Sequence, residues 1–536
     1  MMASRALLAV ALAAALPAGC TKGAAVRSND QLVIAVSTEP QSLDPLLLEG
    51  PTDIMVGSLI FSYLVADGPN GNPVPDVAAE VPTLANGGIS RDGLRITYHL
   101  RRDVRWQDGV KLTARDCVFT YRAIVNPNNA IPSRYGYENI TSVTAPDDYT
   151  LVVKLARPMR STVDGFLATD GNYPIMPEHL LAKYPSINRI DYNAHPVGSG
   201  PYRVAEWVRG DHLSLRANPM YFRGAPPIKK LRIEFVSDSS TMLDRLRTGE
   251  VGAAFHLDPS LYPEARAIPN VRVVLTPVSG MGVFVMNTER EPTSDPRVRE
   301  AIARALNNQE IVDKASHGAF LARNGRRALL LLATGSDVQV PSYDPAIARA
   351  LLDSAGWRVT SDGFRYKRGR RLTLTLITSP DQPMANAVTV LAQAQLRRVG
   401  IDVTIRSYAS ALYKAPAAAG GPIFGGRFSL AYVLVTTGTD GDLSFLYDCS
   451  QRPPLGFDIS RICDSRVDAA ARAGAQTLDP QIAREDNARL ESLLEADVPE
   501  VVLYQPRRVS AFTTRLRGFT PSLVSPFTNA WKWRLR

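Results

Sequence analysis

Short runs in which apolar and polar residues alternate dominate the first third of the chain. Segments 32–36, 94–100 and 149–155 are the clearest, and this period of two predicts strands. Turn signals separate them: Asp92-Gly93, Asp108-Gly109 and Pro146-Asp147-Asp148. Between the second and third, Thr113 followed by Asp116 forms an acidic variant of the capping box, and Cys117, Tyr121 and Ile124 share one helical face. Asp44, just before Pro45 in the loop after the first strand, is expected to bond nearby backbone N–H groups.

The second half changes character. Three helices are predicted to open with Asp at the N-cap and Pro at the first helical position: Asp295-Pro296, Asp344-Pro345 and Asp479-Pro480. Val298, Ile302, Ala305 and Leu306 recur at helical spacing after the first, and Gly356 is a natural stop for the second. Segment 372–377 reads as a strand, 383–398 as a helix that Gly400 ends, and 401–405 as another strand. A crossover of that length implies parallel strands in one sheet. The whole is mixed α/β without internal repeats, and 415–426 is a brief Ala/Gly-rich loop.

With 536 residues and 45% hydrophobic composition, two or three domains are expected. Arg5 followed by an apolar stretch over 6–16 is too short to span a bilayer and reads as an export signal. It ends at Leu16-Pro17-Ala18-Gly19-Cys20, which places lipid attachment on Cys20; ordinary cleavage near Ala18 or Gly19 is the alternative. No later stretch is apolar enough to span, so the rest is expected to be soluble, exported to the periplasm or cell envelope.

The formal charge of +9 arises from 61 Lys and Arg spread among 52 acids along the whole length, and the densest basic run, 367–371, is too short for a nucleic-acid groove. Cys449 and Cys463 are close enough to close a small disulfide loop in an oxidising compartment, while Cys117 fits a small buried hydrophobe. Catalytic patterns are missing. The six histidines are scattered without metal-ligand spacing, no phosphate-cradling loop is present, and the glycines of Val197-Gly198-Ser199-Gly200-Pro201 flank Ser199 too closely for a nucleophile elbow. No enzyme, metal or cofactor is expected.

Several motifs in order resemble the oligopeptide and dipeptide binding proteins of ABC importers. Ser42-Leu43-Asp44-Pro45 is similar to that family's opening motif, and Tyr98-His99-Leu100-Arg101 with Trp106-Gln107-Asp108-Gly109 and Leu112-Thr113-Ala114-Arg115-Asp116 to its second. Val197-Gly198-Ser199-Gly200-Pro201-Tyr202 with Asn218-Pro219-Met220-Tyr221 resembles the third, and Asp295-Pro296-Arg297-Val298-Arg299-Glu300-Ala301 and Ala355-Gly356-Trp357 follow the later pattern.

The resemblance implies a two-lobed periplasmic-binding-protein fold of the large peptide-binding type, with three spatial domains and a hinge. Residues 21–61, 179–276 and 504–536 would form the core domain of lobe 1, 62–178 an inserted domain, and 277–503 lobe 2, with hinge crossings near Pro277 and Pro506. It implies capture of an extended peptide, ABC permease subunits as partners, and a monomer whose membrane contact is limited to a lipid anchor. Glu49 stands where oligopeptide binders place a ligand-facing acid. The anchor for a peptide's amino group falls near Phe445-Leu446, where Asp440 and Asp442 compete beside Thr437 and an ungapped match lands on Gly441. Tyr135 and Tyr432 are the candidate aromatics of the pocket, with Tyr173 and Trp533 as others. Arg326 and Arg327 replace a proline-containing loop and could meet an anionic ligand. Relatives of this fold also carry murein fragments, sugars or metal chelates, or serve as receptors, and these readings stay open.

Overall fold

The computed structural model describes residues 30–536 except 48–49, 69–70, 170, 172, 279, 324–341, 381, 383 and 437–441. Two large sheets organise it. The first has seven strands in the order Val271–Pro277, Arg507–Thr513, Ala253–Leu257, Gln31–Val36, Lys230–Phe235, His212–Ala217 and Tyr202–Val208. Gln31–Val36 pairs in parallel with both neighbours, and the remaining contacts are antiparallel. The second runs Leu321–Ala322, Glu500–Gln505, Gly280–Met286, Leu430–Thr436, Thr373–Thr378 and Asp402–Ser407. A three-stranded sheet of Arg95–His99, Thr150–Leu155 and Ile140–Asp147 adjoins the first.

Local chemistry sets the elements. The three Asp-Pro starts all form: Asp295 accepts from the Arg297 N–H at 3.0 Å, Asp344 from Ala346 at 2.9 Å and Asp479 from Gln481 at 2.7 Å. Such a cap stabilises a helix by about 1 kcal/mol. The Ala385–Arg397 helix links Thr373–Thr378 to Asp402–Ser407, which lie side by side in parallel as the crossover requires. Thr113 donates its N–H to Asp116 at 2.8 Å, and Cys117 and Ile124 are buried beneath the Ala114–Val125 helix. Asp44 is buried and accepts from the Leu46 N–H at 3.0 Å, and burial pushes its carboxyl up to about 7.

Gly198 and Gly200 press against the Ile60 backbone, where a Cβ would come within 1.9 and 2.6 Å. Gln107 bridges this strap, donating to the Tyr202 carbonyl at 2.8 Å and accepting from the Gly198 N–H at 3.1 Å. Two of the family-like motifs therefore meet in space, and Ser199 is buried in packing that leads into a strand.

One apolar core fills one face of the first sheet, together with the three-stranded sheet and the C-terminal tail. A second runs without a break from the other face of the first sheet, through Leu257 and Val509, to Phe284, Leu376 and Tyr504 under the second. The chain passes between the sheets at two adjacent places, after Pro277 and at Pro506, where the Val278 N–H donates to the Pro506 carbonyl at 3.1 Å. Among the described residues no helix is long and apolar enough to cross a membrane.

Candidate functional site

The first lobe and the second also meet away from the crossings. Tyr135 stands in the loop after the Ala114–Val125 helix, and Arg157 to Met159 follow the Thr150–Leu155 strand. Facing them are the Ser444–Tyr447 turn of helix and the Ser465–Gln476 helix. A cavity of about 100 Å3 lies between, with Tyr135, Arg157, Asp442, Asp448, Gln451 and Arg472 among its walls.

Asp442 is buried at the centre of this contact. One carboxylate oxygen accepts from the Ser444 N–H at 2.8 Å and its hydroxyl at 2.7 Å, which sets the start of the short helix. The other accepts from the Tyr135 hydroxyl of the opposite lobe at 2.8 Å. The Tyr135 ring lies 5.8 Å from that of Phe445, and the Arg160 N–H donates to the Ala475 carbonyl at 3.2 Å. Asp448 repeats the arrangement, accepting from the Ser450 N–H and hydroxyl at 2.9 and 2.7 Å while Arg472 pairs with both its oxygens. Burial pushes the Asp448 carboxyl up, but Arg472 and Ser450 outweigh that and hold it below the usual range. Both Asp442 oxygens act as acceptors here, so the position suits a ligand that donates N–H groups or carries an ammonium.

The structure brings together Tyr135 and Asp442 from the expected set. It moves Tyr432 elsewhere. That side chain is fully buried in the Leu430–Thr436 strand, its ring 5.6 Å from Phe284 and its hydroxyl against that of Tyr504. Strand alternation turns position 432 toward the second core, so Tyr432 is a core residue and not a cleft wall. Tyr173 is buried with its hydroxyl on the Ser133 carbonyl at 2.7 Å, and Trp533 packs among Phe255, Phe519 and Phe527. Cys449 and Cys463 form a disulfide with Cα atoms 4.9 Å apart, beside the cavity wall at Ser450 and Gln451. Cys117 is a free, buried thiol. Cys20, Glu49, Arg326, Arg327, Thr437 and Asp440 lie outside the described residues.

Asp448, Arg472 and Arg157 escaped sequence reasoning. A signal for the first existed, because Asp442-Leu443-Ser444 and Asp448-Cys449-Ser450 are the same Asp-x-Ser turn, whereas Arg472 reaches Asp448 across 24 residues.

Known proteins resemble this chain over most of its length. Protein XP55 of Streptomyces lividans is 28% identical over 533 residues, 97% of this chain and 92% of that protein. Glutathione-binding protein GsiB of Salmonella choleraesuis is 29% identical over 443 residues, 81% and 82% of the two chains. Among solved structures, NikZ from Campylobacter jejuni in complex with Ni(L-His) superposes with a TM-score of 0.79 at 24% identity, covering 95% of this chain and all of the other. The oligopeptide-binding protein AppA from Bacillus subtilis in complex with a nonapeptide gives 0.76 at 22% identity, covering 94% and 99%. These likenesses establish the large two-lobed binding-protein fold. Residues 72–451 match the middle region of the bacterial extracellular solute-binding proteins of family 5, and the chain belongs to that family.

Proposed function

We propose that this chain captures an oligopeptide or dipeptide outside the inner membrane, closes its lobes on it, and delivers it to the permease subunits of an ABC importer. The observation that carries this reading is Asp442, a buried acceptor held by Ser444 on its own lobe and reached by Tyr135 from the other. A ligand ammonium on Asp442 would join the same carboxylate that already links the lobes, so ligand binding and closure reinforce each other. The two adjacent crossings at Pro277 and Pro506 serve as the hinge. Residues 21–61, 179–276 and 504–536 with the insertion 62–178 form one moving body and 277–503 the other. The chain is exported, anchored by lipid on Cys20, acts as a monomer and performs no catalysis. The names of GsiB and AppA, a glutathione binder and an oligopeptide binder, support a peptide-like ligand.

The test is to purify the mature chain, release its bound small molecules by denaturation, identify them by mass spectrometry and return each to the refolded protein. A true ligand at about 100 times its dissociation constant raises stability by roughly 2.7 kcal/mol. Stabilisation by free-amine peptides that Asp442→Asn abolishes supports the reading, and stabilisation by a different solute class alone rejects the peptide.

A further inference from the structure

Beside the two crossings, four side chains hold buried polar atoms that meet no protein hydrogen-bond partner: His256 Nε2, Thr276 Oγ1, Arg508 Nη1 and Ser510 Oγ. Strand register brings them together. Thr276 lies opposite Arg508 and Val274 opposite Ser510, while Phe255 also pairs with Ser510 and the following bulge holds His256. Alternation puts Thr276, Arg508 and Ser510 on the face shared with Val274 and Phe512, whereas Leu275, Val509 and Ala511 pack on the opposite face. His256 adopts a left-handed φ of +59°, an uncommon conformation that only the surrounding bulge maintains.

The cluster has a definite polarity. Arg508 Nη2 donates to the carbonyls of Leu523 at 3.4 Å and Val524 at 3.0 Å, which fixes the guanidinium, while Nη1 meets no protein acceptor. Asp67, the carboxylate that feels this charge, accepts from the Val524 N–H at 3.2 Å. Burial and the neighbouring Arg508 hold the His256 imidazole down at about 3, so it is neutral at ordinary pH. His256 and Arg508 keep part of their surface open to solvent, while Thr276 and Ser510 are buried. A fixed cation with two hydroxyl donors is matched by a group that is anionic and only accepts, and a carboxylate satisfies a guanidinium edge and a hydroxyl together.

We propose that Arg508, Thr276 and Ser510, with His256 beside them, form a subsite for a carboxylate of the ligand at the root of the cleft. This rests on the capture reading above and deepens it. Asp442 receives the cationic end of the ligand and Arg508 an anionic one, so the preferred solute is a zwitterion or a free acid rather than a neutral molecule.

The probes are trialanine and its C-terminal amide, titrated calorimetrically into the mature full chain. On the wild type the free acid binds about tenfold or more tightly than the amide, and in Arg508→Gln the gap shrinks below about threefold, with Arg508→Lys restoring part of it. Thr276→Val and Ser510→Ala narrow the gap as well and decide the matter if Arg508→Gln does not fold. Equal binding of acid and amide by the wild type, or a gap that survives in all these variants, overturns the subsite. If neither peptide binds and Asp442→Asn changes nothing, the peptide reading fails separately. Succinate against succinamide then tests the subsite alone: a preference for succinate lost in Arg508→Gln upholds it, and no preference overturns it.

Discussion

The two lobes meet in two ways, and the contrast is instructive. At the root, the second apolar core runs through both lobes, and the chain crosses directly from one sheet to the other at two adjacent places. At the rim the contact is polar: Tyr135 on Asp442, a backbone bond from Arg160 to Ala475, and a small cavity between. Apolar burial over a continuous core is lost only by unfolding, whereas a rim hydrogen bond, with a net value of about 1 kcal/mol, exchanges with water at small cost. On the proposed hinge, the root therefore holds the lobes together and the rim is where they would part. Polarity also divides between the two places, with the buried acceptor at the rim and the unpartnered donors at the root.

The sharpest way to break this contrast is to loosen the rim's wall on the second lobe. Replacing Cys449 and Cys463 together by Ser frees a loop with a sequence separation of 14 residues, and stability should fall by about 3 kcal/mol in urea denaturation. Next comes Asp442→Asn, which should weaken free-amine peptides about ten- to a hundredfold by calorimetry while leaving N-acetylated peptides nearly unchanged. Tyr135→Phe removes the hydroxyl that bonds Asp442 across the lobes. It should cost about 1 kcal/mol, read as a roughly fivefold faster dissociation with unchanged association in stopped flow, and it should be non-additive with Asp442→Asn.

The smallest effect falls at the root. Because His256 is depressed to about 3 in the folded state, the unfolded chain binds its proton first as pH falls below about 6.5, and stability drops with acidification. Between pH 7.5 and 6 this amounts to less than about 1 kcal/mol, and His256→Asn, which tolerates the same left-handed backbone, should remove it from thermal unfolding curves. Asp44 works in the opposite sense. Its carboxyl, raised to about 7, favours the folded state on acidification, so Asp44→Asn should steepen the acid-side loss.

Much of this architecture was legible locally. Each Asp-Pro helix start and the strand, helix, strand unit whose helix Gly400 ends rest on chemistry within a few residues, and they form as expected. Tyr432 was misjudged because Leu430-Ala431-Tyr432-Val433-Leu434-Val435 is apolar at every position, so no polar side marks which face is buried. Asp442 was within reach as one of two competing acids, but its contact with Tyr135 of the opposite lobe is visible only in three dimensions. The root donors were invisible for a similar reason. Nothing local to Ser510 announces that residues 255 and 274 lie on either side of it.

The Arg507–Thr513 strand has a consequence for biogenesis. It is inserted between Ala253–Leu257 and Val271–Pro277, and it is the sole partner of the latter within the sheet. Every polypeptide emerges N-terminus first, so the Val271–Pro277 strand waits through more than two hundred residues of synthesis before its neighbour exists. The first lobe is thus begun before the second and completed after it. A growing chain cannot lock this lobe into its native form until residues 507–513 exist, and a nonsense mutation between codons 278 and 506 would leave its edge strand without a partner.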